Sequence, residues 1–255
     1  MNNISVISLS GGLDSTSLLL HLLNKKHTVY CLTFNYGQKH KIEIEKSKLN
    51  IKYLKENGFP IEQKIIDISD SIDILSSSLT NTNEKVPTGH YEAENMKSTV
   101  VPNRNAIFSS FIYAYALSIH SKTKNNVTIS LGVHSGDHAI YPDCRPDFYK
   151  KLMDAFESGN WNSKYIDLYL PYIDLNKSNI IEDALSACKN LKLNFNEIFK
   201  NTITSYEPNI DGTSNGNTGS DIERILAFNK LNLKDPLKYK YSWEDVLKTA
   251  LNSKK

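Results

Sequence analysis

Cysteine is scarce in this chain, with three among 255 residues, at positions 31, 144 and 188. An odd number so widely spaced supports neither a disulfide framework nor a four-thiolate metal site, and it fits a reducing cytoplasm. Long apolar runs are also missing. None approaches the ~20 residues of a membrane span, and the N-terminus reads directly as a strand and not as a signal peptide. Charge of one sign is lacking as well: 30 Lys+Arg against 28 Asp+Glu leave +2. That balance is too mild to argue for nucleic acid or an anionic membrane as partner. Basic stretches such as Lys39-His40-Lys41 alternate with acids and read as solvated helix face. No internal repeat is visible. The length suits one α/β domain with a substantial core, residues from about 201 to 255 forming a small C-terminal helical appendage.

What is present is alternation. Five β-like runs, Ile4–Leu9, Thr28–Phe34, Ile61–Ile68, Val127–Val133 and Tyr165–Pro171, alternate with helical patterns. The helical patterns cover Ser17–Leu23, Gln38–Asn57, Ala106–His120, Asp147–Ser158 and Lys177–Cys188. The order predicts a doubly wound, parallel five-stranded sheet with helices on both faces. Two polar stretches interrupt it. Ser69–Thr99 reads as a lid or excursion, and Glu207–Ser220, rich in Gly, Ser, Thr and Asn, as a mobile loop. Ser242 and Asp245 predict a capped helix at the end of the chain.

The most informative segment is Ser10-Gly11-Gly12-Leu13-Asp14-Ser15, between the first strand and first helix. Two glycines allow a tight turn, and the amides that open the following helix form an anion site. Ser10 and Ser15 add hydroxyls. The segment resembles the pyrophosphate-binding loop of ATP-pyrophosphatases and lacks the Gly-Lys-Ser/Thr ending of a kinase-type P-loop. In a doubly wound sheet ligands bind beyond the carboxyl ends of the strands. The other polar motifs, Tyr36-Gly37-Gln38 followed by Glu43, Val101-Pro102-Asn103-Arg104-Asn105, and the run from Gly132 to Phe148, fall at such ends.

Together with Tyr141-Pro142-Asp143-Cys144-Arg145-Pro146 and the later Glu223-Arg224, these motifs resemble the 7-cyano-7-deazaguanine synthase family over nearly the whole chain. The resemblance implies a fold of the PP-loop, adenine nucleotide alpha hydrolase type. It implies ATP with Mg2+, and activation of 7-carboxy-7-deazaguanine as an acyl-adenylate. Ammonia would then give the amide, and a second activation the nitrile. A homodimer is a further expectation. In this reading the Ser10–Ser15 loop and Arg104, whose fork has five donors, meet the phosphates. For Arg104 the alternative is a surface arginine paired with an acid. Lys177, at the start of a helix whose macrodipole it opposes, fits a phosphate placed between them. Asp137 or Asp143 could accept from the ring N–H and amine of the deazaguanine. Arg145 could meet its carboxylate or pair with Asp143. His134 and His138 read as polar lining and not a metal pair, Cys144 as a small buried hydrophobe, and Asp14 as a candidate Mg2+ ligand.

One part of the family pattern is missing. The family carries a four-cysteine zinc site near its C-terminus, and the matching positions here are Ser205, Asn215, Thr218 and Asp221. Oxygen and amide groups cannot build a closed thiolate site, so no structural zinc is expected. The loop would instead be held by packing of Ile222, Leu226 and Phe228 or by a partner. Three readings stay open: the nitrile-forming ligase; a ligase that joins the activated deazaguanine to a protein amine, as in anti-phage systems; and a nucleotide-binding protein without turnover.

Overall fold

The computed structural model describes residues 3–38, 42–72, 74–75, 77, 98–138, 141–205, 209 and 211–253. Five strands, β1 (Ile4–Ser8), β2 (Thr28–Asn35), β3 (Ile61–Asp67), β4 (Val127–Ser130) and β5 (Ile166–Tyr169), form one sheet. All pairings are parallel and the order is β3-β2-β1-β4-β5, so the chain reverses direction across the sheet at β1. The helices are α1 (Leu13–Asn24), α2 (Ile42–Glu56), the single turn α3 (Ser69–Ile72), α4 (Arg104–Thr123), α5 (Pro146–Gly159), α6 (Lys177–Leu191), α7 (Phe195–Phe199), α8 (Gly219–Lys230) and α9 (Trp243–Asn252). None of these is long and apolar enough to cross a membrane.

The central strands read as apolar runs because both faces are covered. Alternate side chains divide between two cores. Ile7, Val29 and Cys31 join α1, α6 and α7 on one face. Val6, Leu32 and Phe34 join α4 and α5 on the other. The expected doubly wound architecture is therefore the observed one. The fourth and fifth strands are shorter than their apolar runs, because residues 131–133 and 170–171 leave the sheet to build loops. Most of the polar stretch at 69–99 lies outside the described residues.

The C-terminal residues correct one expectation. Residues 211–220 have a loop's composition, yet Thr213, Ser214, Thr218 and Ser220 are buried, and Thr218 with Asp221 closes a capping box on α8. Short polar side chains stay buried when they satisfy one another, a pattern that composition does not reveal. The expected cap on α9 is present, with the Asp245 N–H donating to Ser242 Oγ at 3.1 Å.

The appendage is anchored by Arg224, whose side chain is wholly buried. Its Nε and Nη2 donate to the two oxygens of Asp235 at 2.6 and 2.9 Å. Nη1 donates to the Thr202 carbonyl at 2.9 Å and to Thr204 Oγ1 at 3.0 Å, and Nη2 also to the Phe199 carbonyl at 3.3 Å. Each of the five guanidinium donors is thereby used. Removing the carboxylate would leave this charge buried and unpaired. Asp235→Ala is expected to cost about 3–5 kcal/mol of stability. A urea unfolding midpoint within error of the parent's would contradict that assignment.

Candidate active site

The reversal of strand order at β1 opens a crevice above the ends of β1 and β4, and the chain fills its floor with the Ser10–Ser15 loop. Gly11 has φ +90°, and a Cβ there would stand 2.4 Å from the Glu43 carbonyl oxygen, so only glycine fits. A Cβ on Gly132, at the end of β4, would lie 3.0 Å from the Asp14 carbonyl carbon. The strand end can therefore approach the start of α1 closely. The two serines set the loop: Ser10 Oγ and Ser15 Oγ are 3.0 Å apart, and the Gly12 N–H donates to Ser10 Oγ at 3.2 Å. Gly12 caps α1 and has no side-chain oxygen to offer the first-turn amides of that helix. Positive helix-end potential and N–H donors are left facing the crevice, an arrangement that favours an anion.

That crevice is a cavity of about 270 Å³. Its floor is Ser10 to Ser15; one wall carries Phe34, Tyr36 and Phe108, and the other Lys177, Thr204, Ser205, Ser220 and Glu223. Phe34 and Phe108 stack with centroids 4.1 Å apart. Arg104 starts α4 with its guanidinium 5.8 Å from the centroid of the Tyr36 ring. Thus one side of the cleft carries flat rings with Arg104 beside them, and the other carries Lys177 and Glu223.

Lys177 dominates the charged side. It is the first residue of α6, after Asn176 caps that helix by accepting from the Ser178 and Asn179 N–H groups. Although a lysine, it is only 5 % exposed. Its Nζ donates to Asp14 Oδ2 at 2.8 Å and lies 3.2 Å from Glu223 Oε2. The two carboxylates explain how a cation tolerates both burial and a helix N-terminus. Burial alone would raise the Asp14 pKa, but Lys177 and then His134 outweigh it and hold the carboxyl below its ordinary range. His134 is buried, its Nδ1 accepts from the Gly136 N–H at 3.1 Å, and its Nε2 faces Asp14 Oδ2 at 3.8 Å. Across the cleft, burial lifts the Glu43 carboxyl to about 8, with Arg104 pulling the other way.

The expected site residues do not all converge. Ser10, Gly12, Leu13, Asp14, Ser15, Arg104 and Lys177 line the cleft, while Gly11 shapes its floor from behind. Tyr141 and Cys144 line it too, and the buried Cys144 Sγ accepts from Asn105 Nδ2 at 3.4 Å. Asp143 and Arg145, from the same run, are not among the lining residues. The Asp143 carbonyl accepts from Asn105 Nδ2 at 3.4 Å, and the exposed Arg145 donates from Nε to the His138 carbonyl at 2.8 Å. Asp137 ends a short 3-10 turn, Ser135–Asp137, and its side chain lies outside the described residues. Glu223 was not expected to meet Lys177, while His134, read as polar lining, is buried behind Asp14 and is not among the lining residues. Glu223 sits beside Arg224 in a motif whose two members face opposite ways.

One carboxylate here fits Mg2+. Asp14 Oδ1 is a buried acceptor without a hydrogen-bond partner among the described residues. It stands beside the anion site, where a hard cation bridging phosphate oxygens takes one or two carboxylates. Among the described residues there is no cluster of three or more His, Cys, Asp or Glu able to hold a metal alone.

The family model described as "Queuosine biosynthesis protein QueC" matches residues 4–232. The 7-cyano-7-deazaguanine synthase of Psychromonas ingrahamii is 39 % identical over 94 % of this chain and 99 % of its own length. The 7-cyano-7-deazaguanine synthase 1 of Colwellia psychrerythraea is 38 % identical over 92 % and 97 %. The 7-cyano-7-deazaguanine synthase of Caldicellulosiruptor saccharolyticus is 37 % identical over 92 % and 95 %. A solved NMN synthetase from Francisella tularensis aligns with 98 % of this chain and 86 % of its own, at 12 % identity and a TM-score of 0.40.

Two outcomes follow from the geometry of the floor and the aromatic wall. Gly11→Ala is expected to weaken ATP binding at least about tenfold, since both the positive φ and the Glu43 carbonyl oppose a Cβ. Isothermal titration would measure this directly. For Glu43, the native state keeps a proton that the unfolded chain, at an ordinary 4.5, has already released. Native stability should therefore fall as pH rises through that window and level off above about 8. Glu43→Gln should remove that slope, gaining on the parent steadily between about pH 5 and about pH 8 in urea titrations.

Proposed function

The chain belongs to the queuosine biosynthesis protein QueC family, and from that premise we propose that it is an ATP-dependent carbon–nitrogen ligase making 7-cyano-7-deazaguanine from 7-carboxy-7-deazaguanine and ammonia. The observation that carries this reading is the placement of Lys177. A buried ammonium stands at the end of an amide-lined anion loop, where charge grows on an α-phosphate during adenylation.

The chemistry needs activation because a carboxylate oxygen is a poor leaving group. In the first step an oxygen of the acid attacks the α-phosphorus of ATP, the bond to the β-phosphate bridge breaks, and pyrophosphate departs. The first-turn amides of α1 hold the departing pyrophosphate, and Lys177 with Arg104 offsets the charge that builds on the α-phosphate. In the second step ammonia attacks the acyl carbon, the bond to AMP breaks, and a proton is lost to solvent or a nearby base. In a second activation the amide oxygen attacks the α-phosphorus of another ATP, releasing pyrophosphate and one N–H proton, and loss of AMP with the remaining N–H proton yields the nitrile. Mg2+ would neutralise phosphate charge; Asp14, with its free oxygen, and Glu223 are the residues that would hold it. The Phe34, Tyr36 and Phe108 wall gives a flat heterocycle a surface on which to stack.

A second reading changes only the nucleophile, from ammonia to a protein amine. The altered segments that carry Ser205, Thr218 and Asp221 in place of thiols, of which Ser205 lines the cleft, support keeping it. The decisive assay supplies ATP, magnesium, the acid and ammonium, and follows pyrophosphate and product mass. Release of pyrophosphate with a nitrile product is expected. Release without amide or nitrile, together with a mass increase on a co-expressed protein, would favour the second reading. No acid-dependent pyrophosphate at all would reduce the chain to a nucleotide-binding protein. Lys177→Ala should lower kcat/KM at least about a hundredfold. Arg145→Ala, at an exposed position outside the cleft lining, should lower it less than about tenfold. The reverse ranking would relocate the acid-binding site to the Asp143–Arg145 run.

A further inference from the structure

The charged wall of the cleft is assembled around one carboxylate. Asp221, in the first turn of α8, is 0 % exposed. Its Oδ1 accepts from Ser214 Oγ at 2.7 Å. Its Oδ2 accepts from Thr218 Oγ1 at 2.6 Å, from Ser205 Oγ at 2.9 Å and from the Thr218 N–H at 3.2 Å. The donors come from three separate segments: the chain after α7, the turn around residue 214, and the cap of α8. Ser205 and Ser220 line the cleft. Two residues before Ser205, the Ile203 N–H donates to the Gly11 carbonyl at 3.0 Å, so this segment also touches the anion loop. Two residues after Asp221, Glu223 reaches Lys177 at 3.2 Å.

We propose that Asp221 is a positioning residue for the reaction: its carboxylate locks the Ile203–Ser205 segment to the start of α8 and so fixes Glu223 against Lys177. The inference rests on reading the cleft as an adenylation site. A carboxylate with both oxygens filled by short, directional hydrogen bonds admits little rotation, and it sets the angle of α8 about its own axis. Glu223 lies about 200° further round that helix than Asp221. One residue therefore faces the hub while the other faces the cleft, and a small turn of the helix moves the Glu223 carboxylate off the lysine. Neighbouring Arg224 ties the same helix to Asp235, Phe199, Thr202 and Thr204, so it restrains α8 alongside Asp221 and not in its place.

Asp221→Asn preserves the shape but turns one acceptor into a donor that confronts hydroxyls. It is expected to lower kcat for acid-dependent pyrophosphate release about thirtyfold, with the Kd for ATP within about threefold of the parent's, because the amides of α1 are untouched. Combined with Glu223→Gln it should add little, since both changes release the same contact; losses that multiply would overturn the proposal. A readout that does not need turnover is the acylation rate of Lys177, followed by mass spectrometry. The paired, buried amine should react about tenfold faster in Asp221→Asn and in Glu223→Gln alike. If Lys177 stays protected in Asp221→Asn, the hub does not act through Glu223, whatever the parent's activity. A parent without acid-dependent turnover but with this change in labelling would refute the adenylation reading alone. Should Asp221→Asn not fold, Ser214→Ala removes one donor and should move both readouts the same way by about fivefold. No change in either would overturn the proposal.

Discussion

One buried ammonium, held between two carboxylates, organises this cleft. Lys177 cannot be taken out of water alone, because desolvating a single charge costs several kcal/mol. Its partners Asp14 and Glu223 come from opposite ends of the chain, so the pair can form only when α1, α6 and α8 are in place. The interaction thereby makes the site report on the whole fold. It also explains why two helix N-termini can point into one small cavity. Asp14 compensates the positive end of α1, while the capping of α6 by Asn176 leaves Lys177 to be compensated by the carboxylates.

The same arrangement sets what can bind. An incoming polyphosphate is attracted by the α1 amides and by Lys177 but repelled by Asp14 and Glu223. Asp14 and Glu223 would hold a divalent cation, which would offset that repulsion and leave Lys177 available to a phosphate. The opposite wall imposes a different constraint. Phe34, Phe108 and Tyr36 are apolar and flat, and Glu43 beside them is pushed towards its neutral form. The buried ammonium with its carboxylates thus stands on one side of the cavity and the stacking rings, with Arg104 beside Tyr36, on the other, a division that suits joining a nucleotide to a heterocyclic acid.

The architecture was legible because its signals are local. Apolar runs of strand length between helical periods mark a buried parallel sheet, and a glycine turn after the first strand marks the anion loop. Lys177 and Arg104 were legible through their positions at helix starts. The partners of Lys177 were not. Periodicity places Glu223 on α8 but cannot say that it faces a lysine 46 positions earlier, and His134 and Glu43 gave no local sign that burial would enclose them. The Asp143–Arg145 run was the reverse case: a distinctive motif whose Tyr141 and Cys144 face the cleft while Arg145 turns to the His138 carbonyl. The segment around residue 214 misled for a physical reason. Serine and threonine signal a solvated loop when their hydroxyls meet water, and here those of Ser214 and Thr218 meet Asp221.

That substitution of contacts bears on how the C-terminal residues are held where Ser205, Asn215, Thr218 and Asp221 offer no thiolate. A closed thiolate site supplies binding energy from outside the chain, about 10–16 kcal/mol in small peptides. A hydrogen-bonded carboxylate supplies far less net stabilisation, on the order of 1.5–3 kcal/mol for each charge-assisted bond and offset by burial of the charge. The remaining stability must come from packing, and the structure places it there. Ile222, Ile225, Val246 and Ala250 form a separate apolar cluster between α8 and α9, and Phe228 joins the main core beside α6 and α7. Asp221 and the Arg224–Asp235 pair then contribute orientation more than energy: each is fully satisfied in one arrangement and left with a buried, unpaired group in any other. The appendage is thus held by its apolar clusters and aimed by its buried charges, and the aim is what brings Glu223 to the lysine.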